Sequence, residues 1–86
     1  MKNGGLNLTE EQAWILRKII EAAVQLLTSE DDIKKCVTLF PAWEEEAVYL
    51  SLKKVRYDGH VYKCLLPHTS AEDKAPGNKI YWQFVV

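Results

Sequence analysis

Val55-Arg56-Tyr57-Asp58-Gly59-His60-Val61-Tyr62-Lys63-Cys64 decides the fold of this 86-residue chain. Asp-Gly between two runs of β-branched and aromatic residues marks a type I′ hairpin, because that turn needs positive φ at both central residues. The two-residue loop also sets the register: Tyr57 pairs with His60, Arg56 with Val61, Val55 with Tyr62, Lys54 with Lys63, and Lys53 with Cys64. Val55, Tyr57, Tyr62 and Cys64 then share one face, expected to be core. Lys54, Arg56 and Lys63 share the other, expected to be wet.

C-terminal to the hairpin, residues 67–79 contain Pro67 and Ala75-Pro76-Gly77-Asn78 and read as a long loop. Ile80-Tyr81-Trp82-Gln83-Phe84-Val85 closes the sheet as a last strand, and a further strand is expected near Val48–Leu50. Residues 41–86 are thus a small twisted antiparallel three-stranded β module.

N-terminal to it the periodicity is helical. Thr9-Glu10-Glu11-Gln12 is a capping box opening a helix over residues 10–27. Ala13, Leu16, Ile20, Ala23 and Leu27 recur at 3-4-3-4 spacing, flanked by Ile15, Ile19 and Leu26 and opposed by Arg17, Lys18, Glu21 and Gln25. So broad an apolar side fits either an intramolecular core or a coiled-coil seam. Ser29 caps a second helix whose first turn holds Glu30, Asp31 and Asp32, where the helix dipole favours acids; Pro41 ends it near Leu39. The fold class is α+β: an amphipathic helix or helix pair, then the β module. We divide the chain into a flexible N-terminus (1–8), a helical segment for self-association or docking (9–40) and the β module (41–86).

A chain this short supports at most one compact domain, or two smaller pieces that support each other. Hydrophobic residues make up 48% and charged residues 27%, which suits a folded chain and excludes a disordered one. No apolar run reaches a membrane span, and the start has no secretory h-region, so synthesis in a cytoplasm is expected. Cys36 and Cys64 are too few and too far apart for a disulfide framework. The net charge of −1 conceals an asymmetry, with five Lys and Arg against nine Asp and Glu in residues 1–46 and six against three in residues 47–86.

Pro41-Ala42-Trp43, Tyr49, the hairpin from Val55 to Cys64, His68-Thr69-Ser70, Pro76 and Trp82 together resemble the carbohydrate-binding modules of the chitin- and cellulose-binding type (families 5/12). The form with Tyr-Lys-Cys-Leu leading to His-Thr-Ser, after a helical segment and Leu39-Phe40-Pro41-Ala42-Trp43, resembles short tail-associated proteins of phages and prophages. The resemblance implies a short twisted sheet organised on V-x-Y-x-G-x-x-Y and a late Trp, a polysaccharide ligand, and placement in a virion tail. The chain departs from the pattern at Leu66-Pro67-His68, where exposed aromatics commonly sit, at Asp73-Lys74 in place of Asp-Trp, and at Lys53-Lys54 in place of Gly-Asp.

Tyr57, Tyr62 and Trp82 are read as core aromatics. Tyr81, alternating with Trp82, and Trp43, on the linker, are candidate stacking contacts for a sugar; His68 is a further candidate ligand contact, also read as a loop anchor bonded to the Thr69-Ser70 main chain. Lys54, Arg56 and Lys63 are candidates for an anionic ligand, although the net charge argues against nucleic acid. No C-x2-C pair is present, and His60, Cys64 and His68 belong to one strand and its loop, so no metal or other cofactor is assigned. Cys64 points into the predicted core and nothing marks an oxyanion hole, so no catalytic residue is assigned and the chain is read as a non-enzyme. The expected function is a non-catalytic phage or prophage accessory protein recognising a cell-surface polysaccharide, homo-oligomeric or assembled through residues 10–39. The alternatives are a structural adaptor whose β module has lost sugar binding and a weak anionic-polymer binder.

Overall fold

A computed structural model describes residues 8–86. The flexible N-terminus expected over residues 1–8 lies, up to residue 7, outside the described residues. The fold is α+β, with helices α1 (Glu10–Val24) and α2 (Glu30–Lys35), then strands β1 (Val48–Tyr49), β2 (Lys54–Tyr57), β3 (His60–Cys64), β4 (His68–Thr69) and β5 (Trp82–Phe84).

The capping box forms as read: Gln12 N–H donates to Thr9 Oγ1 at 3.0 Å and Thr9 N–H to Gln12 Oε1 at 3.1 Å. Helix α1 ends three residues before the expected Leu27, because the amides of Gln25, Leu26 and Leu27 bond three residues back in a tightened last turn. The second helix is interrupted at Cys36, where the backbone leaves helical geometry, and resumes as a 3-10 turn over Val37–Leu39 before Pro41.

Strands β2, β3 and β5 make the antiparallel three-stranded sheet, in that order. The Asp58-Gly59 turn has φ of 52° and 77°, as a type I′ turn requires. Tyr57 faces His60, Arg56 faces Val61, Val55 faces Tyr62 and Lys54 faces Lys63, which is the register read from the loop length. The fifth expected pair is replaced by a bulge. Leu52 N–H donates to Cys64 O and Cys64 N–H donates to Lys53 O, both at 2.8 Å, so two residues oppose one. Leu52, with φ of 76°, occupies the left-handed position that glycine usually fills in such bulges. The span read as loop contains β4, which pairs with β1 in a separate two-stranded sheet. Two residues carry too little alternation to signal a strand.

The main correction concerns the face expected to be wet. Both faces of the three-stranded sheet are covered. Val55, Cys64 and Trp82 pack with Tyr49 on one side, joined by Trp43, Tyr62 and Tyr81. On the other side Val61 packs with Val24, Ile33 and Phe40, flanked by Ile20, Leu27, Val37 and Val85. Val61 shares its face with Lys54, Arg56 and Lys63, and an apolar residue among three cations was the available signal. The helices therefore supply the second layer that a short sheet needs.

Only the inner side of α1 enters that core. Ile15 and Ile19 stay exposed on its outer side, Ile19 at 58%, and Leu26, in the tightened turn just past the helix, is 82% exposed.

Candidate functional site

The β module holds two aromatic groups. The first is a row running along one rim of the sheet. Trp43 meets Tyr57 edge to face at 5.6 Å, Tyr57 meets Tyr62 at 6.3 Å, Tyr62 meets Phe84 at 5.6 Å, and Phe84 meets His60 at 5.3 Å. Trp43 is held beside Tyr57 because its amide donates to Arg56 O at 2.9 Å while Arg56 N–H donates to Pro41 O at 2.7 Å. Pro41-Ala42-Trp43 thus runs along the outer edge of β2. The indole N–H of Trp43 is buried and has no partner among the described residues.

The second group is centred on His68, whose ring lies 4.7 Å from Tyr81, 5.5 Å from Trp82 and 6.1 Å from Tyr49. Trp82 is buried, 2% exposed, and its indole N–H donates to Lys74 O at 2.8 Å. Of the expected core aromatics, Trp82 is fully inside, whereas Tyr57 and Tyr62 are half-buried members of the rim row. Tyr81 is also half-buried, with one face on His68 and Lys74 Nζ 5.8 Å from its ring centre.

His68-Thr69-Ser70 fastens these loops. His68 Nδ1 lies 2.7 Å from Leu66 O, which identifies Nδ1 as the protonated nitrogen. Ser70 is buried; its hydroxyl donates to Glu44 O and accepts from Ala47 N–H at 3.0 Å, tying residues 44–47 to the second sheet. Tyr49 Oη accepts from Glu44 N–H at 2.8 Å and closes the same loop.

Cys64 Sγ lies 3.8 Å from His68 Nδ1, the contact a Cys-His nucleophile pair would need. Nδ1 is occupied by Leu66 O, and the thiol itself donates to Leu66 O at 3.1 Å. Burial pushes the Cys64 thiol up, so it stays protonated and unreactive at neutral pH. Among the described residues, no group of three or more His, Cys, Asp or Glu side chains converges on one point.

Two of the three candidate cations bond to main-chain oxygens. Lys54 is held by Gln25 through both its main chain and its ammonium, and Arg56 Nε donates to Phe40 O at 3.3 Å. Lys63 stands opposite Lys54 and beside Gln83 on the helix-covered face.

An aromatic hairpin sheet, a late buried Trp and a His-Thr-Ser fastening are now placed. Residues 42–82 match the family model of carbohydrate-binding module family 5/12. No curated protein and no solved structure matches the chain. The matched span begins after both helices and contains β1 to β4, with Trp82 as its last residue. The matched family is one of binding modules. Sequence reasoning missed Phe84, an exposed member of the rim row between Tyr62 and His60. Its signal was positional: two residues beyond Trp82 on one strand, it keeps the same face but lies past the end of the core.

Proposed function

We propose that the chain is a non-catalytic phage or prophage accessory protein whose β module recognises a cell-surface polysaccharide. The observation that carries the recognition half is the match of residues 42–82 to a carbohydrate-binding module family. Sugars suit such a surface because an aromatic ring can cover the apolar face of a pyranose. The tail context, and with it a virion location after cytoplasmic synthesis, is supported by the sequence resemblance of the helix-plus-module arrangement. Self-association is supported by the exposed outer stripe of α1, which a second copy can cover.

Retention of the intact protein on chitin, on cellulose or on bacterial cell-wall polysaccharide is the test. Binding to one of them is expected; absence from all three overturns polysaccharide recognition.

One observation favours a second reading, that of a structural adaptor. Lys74 occupies the place where the phage-type pattern has an aromatic, and Tyr81 is half-covered by His68. A module retained by no polysaccharide, but by other tail proteins, supports that reading.

A further inference from the structure

Of the Phe, Tyr and Trp rings in residues 41–86, only Phe84 is exposed, at 56%. It stands on β5, an edge strand of the three-stranded sheet, with β3 on its inner side and, among the described residues, no strand on its outer side. Beside it opens a cleft of about 480 Å³ lined by Tyr62, Leu65, Gly77, Lys79, Trp82 and Gln83 as well as Phe84 itself. Tyr62 is held at 5.6 Å, edge to face with Phe84. Gly77, with φ of 115°, keeps the loop side of the cleft free of a side chain in a conformation other residues resist.

Polar groups surround these rings. Lys79 and Gln83 line the rim. The ladder bonds of Leu65 to Tyr81 and of Val85 to Val61 fall on alternate residues of the strand. That alternation turns the Phe84 amide and the Trp82 carbonyl toward the free edge. An apolar wall bordered by donors and acceptors matches a ligand with an apolar face and a polar perimeter. A peptide would have to add a strand to β5, which at three residues offers too short an edge for that mode.

We propose that the Tyr62–Phe84 cleft is the glycan subsite of this chain, with the apolar face of a pyranose stacked on Phe84 and its hydroxyls directed to Lys79 and the edge of β5. This rests on the polysaccharide reading above. It assigns the ligand to a residue outside the matched span 42–82 and away from Tyr81 and Trp43. Phe84 is exposed enough to be replaced without opening the core.

The experiment is a depletion assay of the intact protein and its variants on chitin, cellulose and cell-wall polysaccharide, with the thermal transition of each variant measured alongside. Phe84→Ala is expected to weaken binding about tenfold, the scale of a lost aromatic contact. Phe84→Trp is expected to bind as well as the parent or better, and Ile80→Ala, an exposed apolar change outside the cleft, to bind as the parent. Undiminished binding by a folded Phe84→Ala overturns the subsite, and weakened binding by Tyr81→Ala or Trp43→Ala in its place moves the ligand elsewhere on a module that still binds glycan. If the parent binds none of the polymers, the polysaccharide reading fails first and the subsite with it.

Discussion

Gln25 grips the main chain of Lys54 from both sides: its Nε2 donates to Lys54 O at 2.8 Å, and Lys54 N–H donates to its Oε1 at 2.8 Å. The side-chain amide stands where the main chain of another strand would stand and satisfies the outer edge of β2. It lies one residue past α1, so the same pair of bonds fixes where the helix leaves the sheet. Gln25→Ala leaves two half-buried peptide groups without partners and should cost about 2 kcal/mol. Gln25→Glu keeps the acceptor and loses the donor, and should fall between the two in chemical denaturation.

Leu52 should respond in the opposite direction. It holds a left-handed conformation at φ of 76°, and its side chain is exposed, so packing does not compensate the strain. Leu52→Gly relieves the bulge and is expected to stabilise the protein by about 0.5–1 kcal/mol, read as a raised denaturation midpoint with unchanged slope. A lower midpoint would mean that the side chain makes a contact worth more than the strain.

The hairpin was legible because Asp58-Gly59 fixes the register chemically, and the capping box because Thr9 and Gln12 satisfy each other locally. The coverage of the sheet was not. Lys54, Arg56 and Lys63 suggested a wet face, yet the long stems of such residues lie along apolar surface while their heads find main-chain partners, as Lys54 and Arg56 do with Gln25 and Phe40. That depends on where α1 and α2 pack, of which Val61 among the three cations was the single local sign. The bulge at Leu52 was hidden for a related reason: leucine gives none of the warning that glycine would. At the candidate site, Trp82 was readable from alternation, while the exposure of Phe84 depends on where the core stops.

Alkaline pH should weaken the fold through two buried groups. Burial raises Cys64 above its ordinary value of 9.0 and Tyr49 above 10.0. Both are neutral when protonated, so the folded state holds the proton more tightly and the unfolded chain releases it first. Their contribution is complete below pH 9 and is lost as pH rises through the folded values. Tyr49→Phe should be less stable at neutral pH, because the Glu44 amide loses its acceptor, yet should decline less steeply than the parent above pH 10. An equal decline in parent and variant would remove Tyr49 from the account.

The helices and the β module should fold as one unit. Phe40 and Ile33 close over Val61, so the sheet lacks half its cover without residues 9–40. A fragment of residues 41–86 exposes Val61 and the inner face of the sheet and should show no cooperative thermal transition. In the intact chain, Phe40→Ala empties a fully buried site and should cost about 3–5 kcal/mol, a large share of what so small a domain possesses. A sharp transition in the fragment would show instead that the module is autonomous.

The outer stripe of α1 bears on self-association. Ile15, Ile19, Ala22 and Leu26 follow one another at spacings of four, three and four, the first three on the side of the helix away from Ile20 and Val24 and Leu26 in the turn just past its end. That order reads the same in both directions, so two copies related by a twofold axis can lie antiparallel with Ile15 of one against Leu26 of the other. Two heptads bury little area, and the association should therefore be weak and concentration-dependent. Light scattering should show the parent mass rising with concentration and the Ile19→Lys variant remaining monomeric, with its thermal transition unchanged because Ile19 stands outside the core. A parent that stays monomeric at high concentration removes the second copy and leaves the stripe for a different partner.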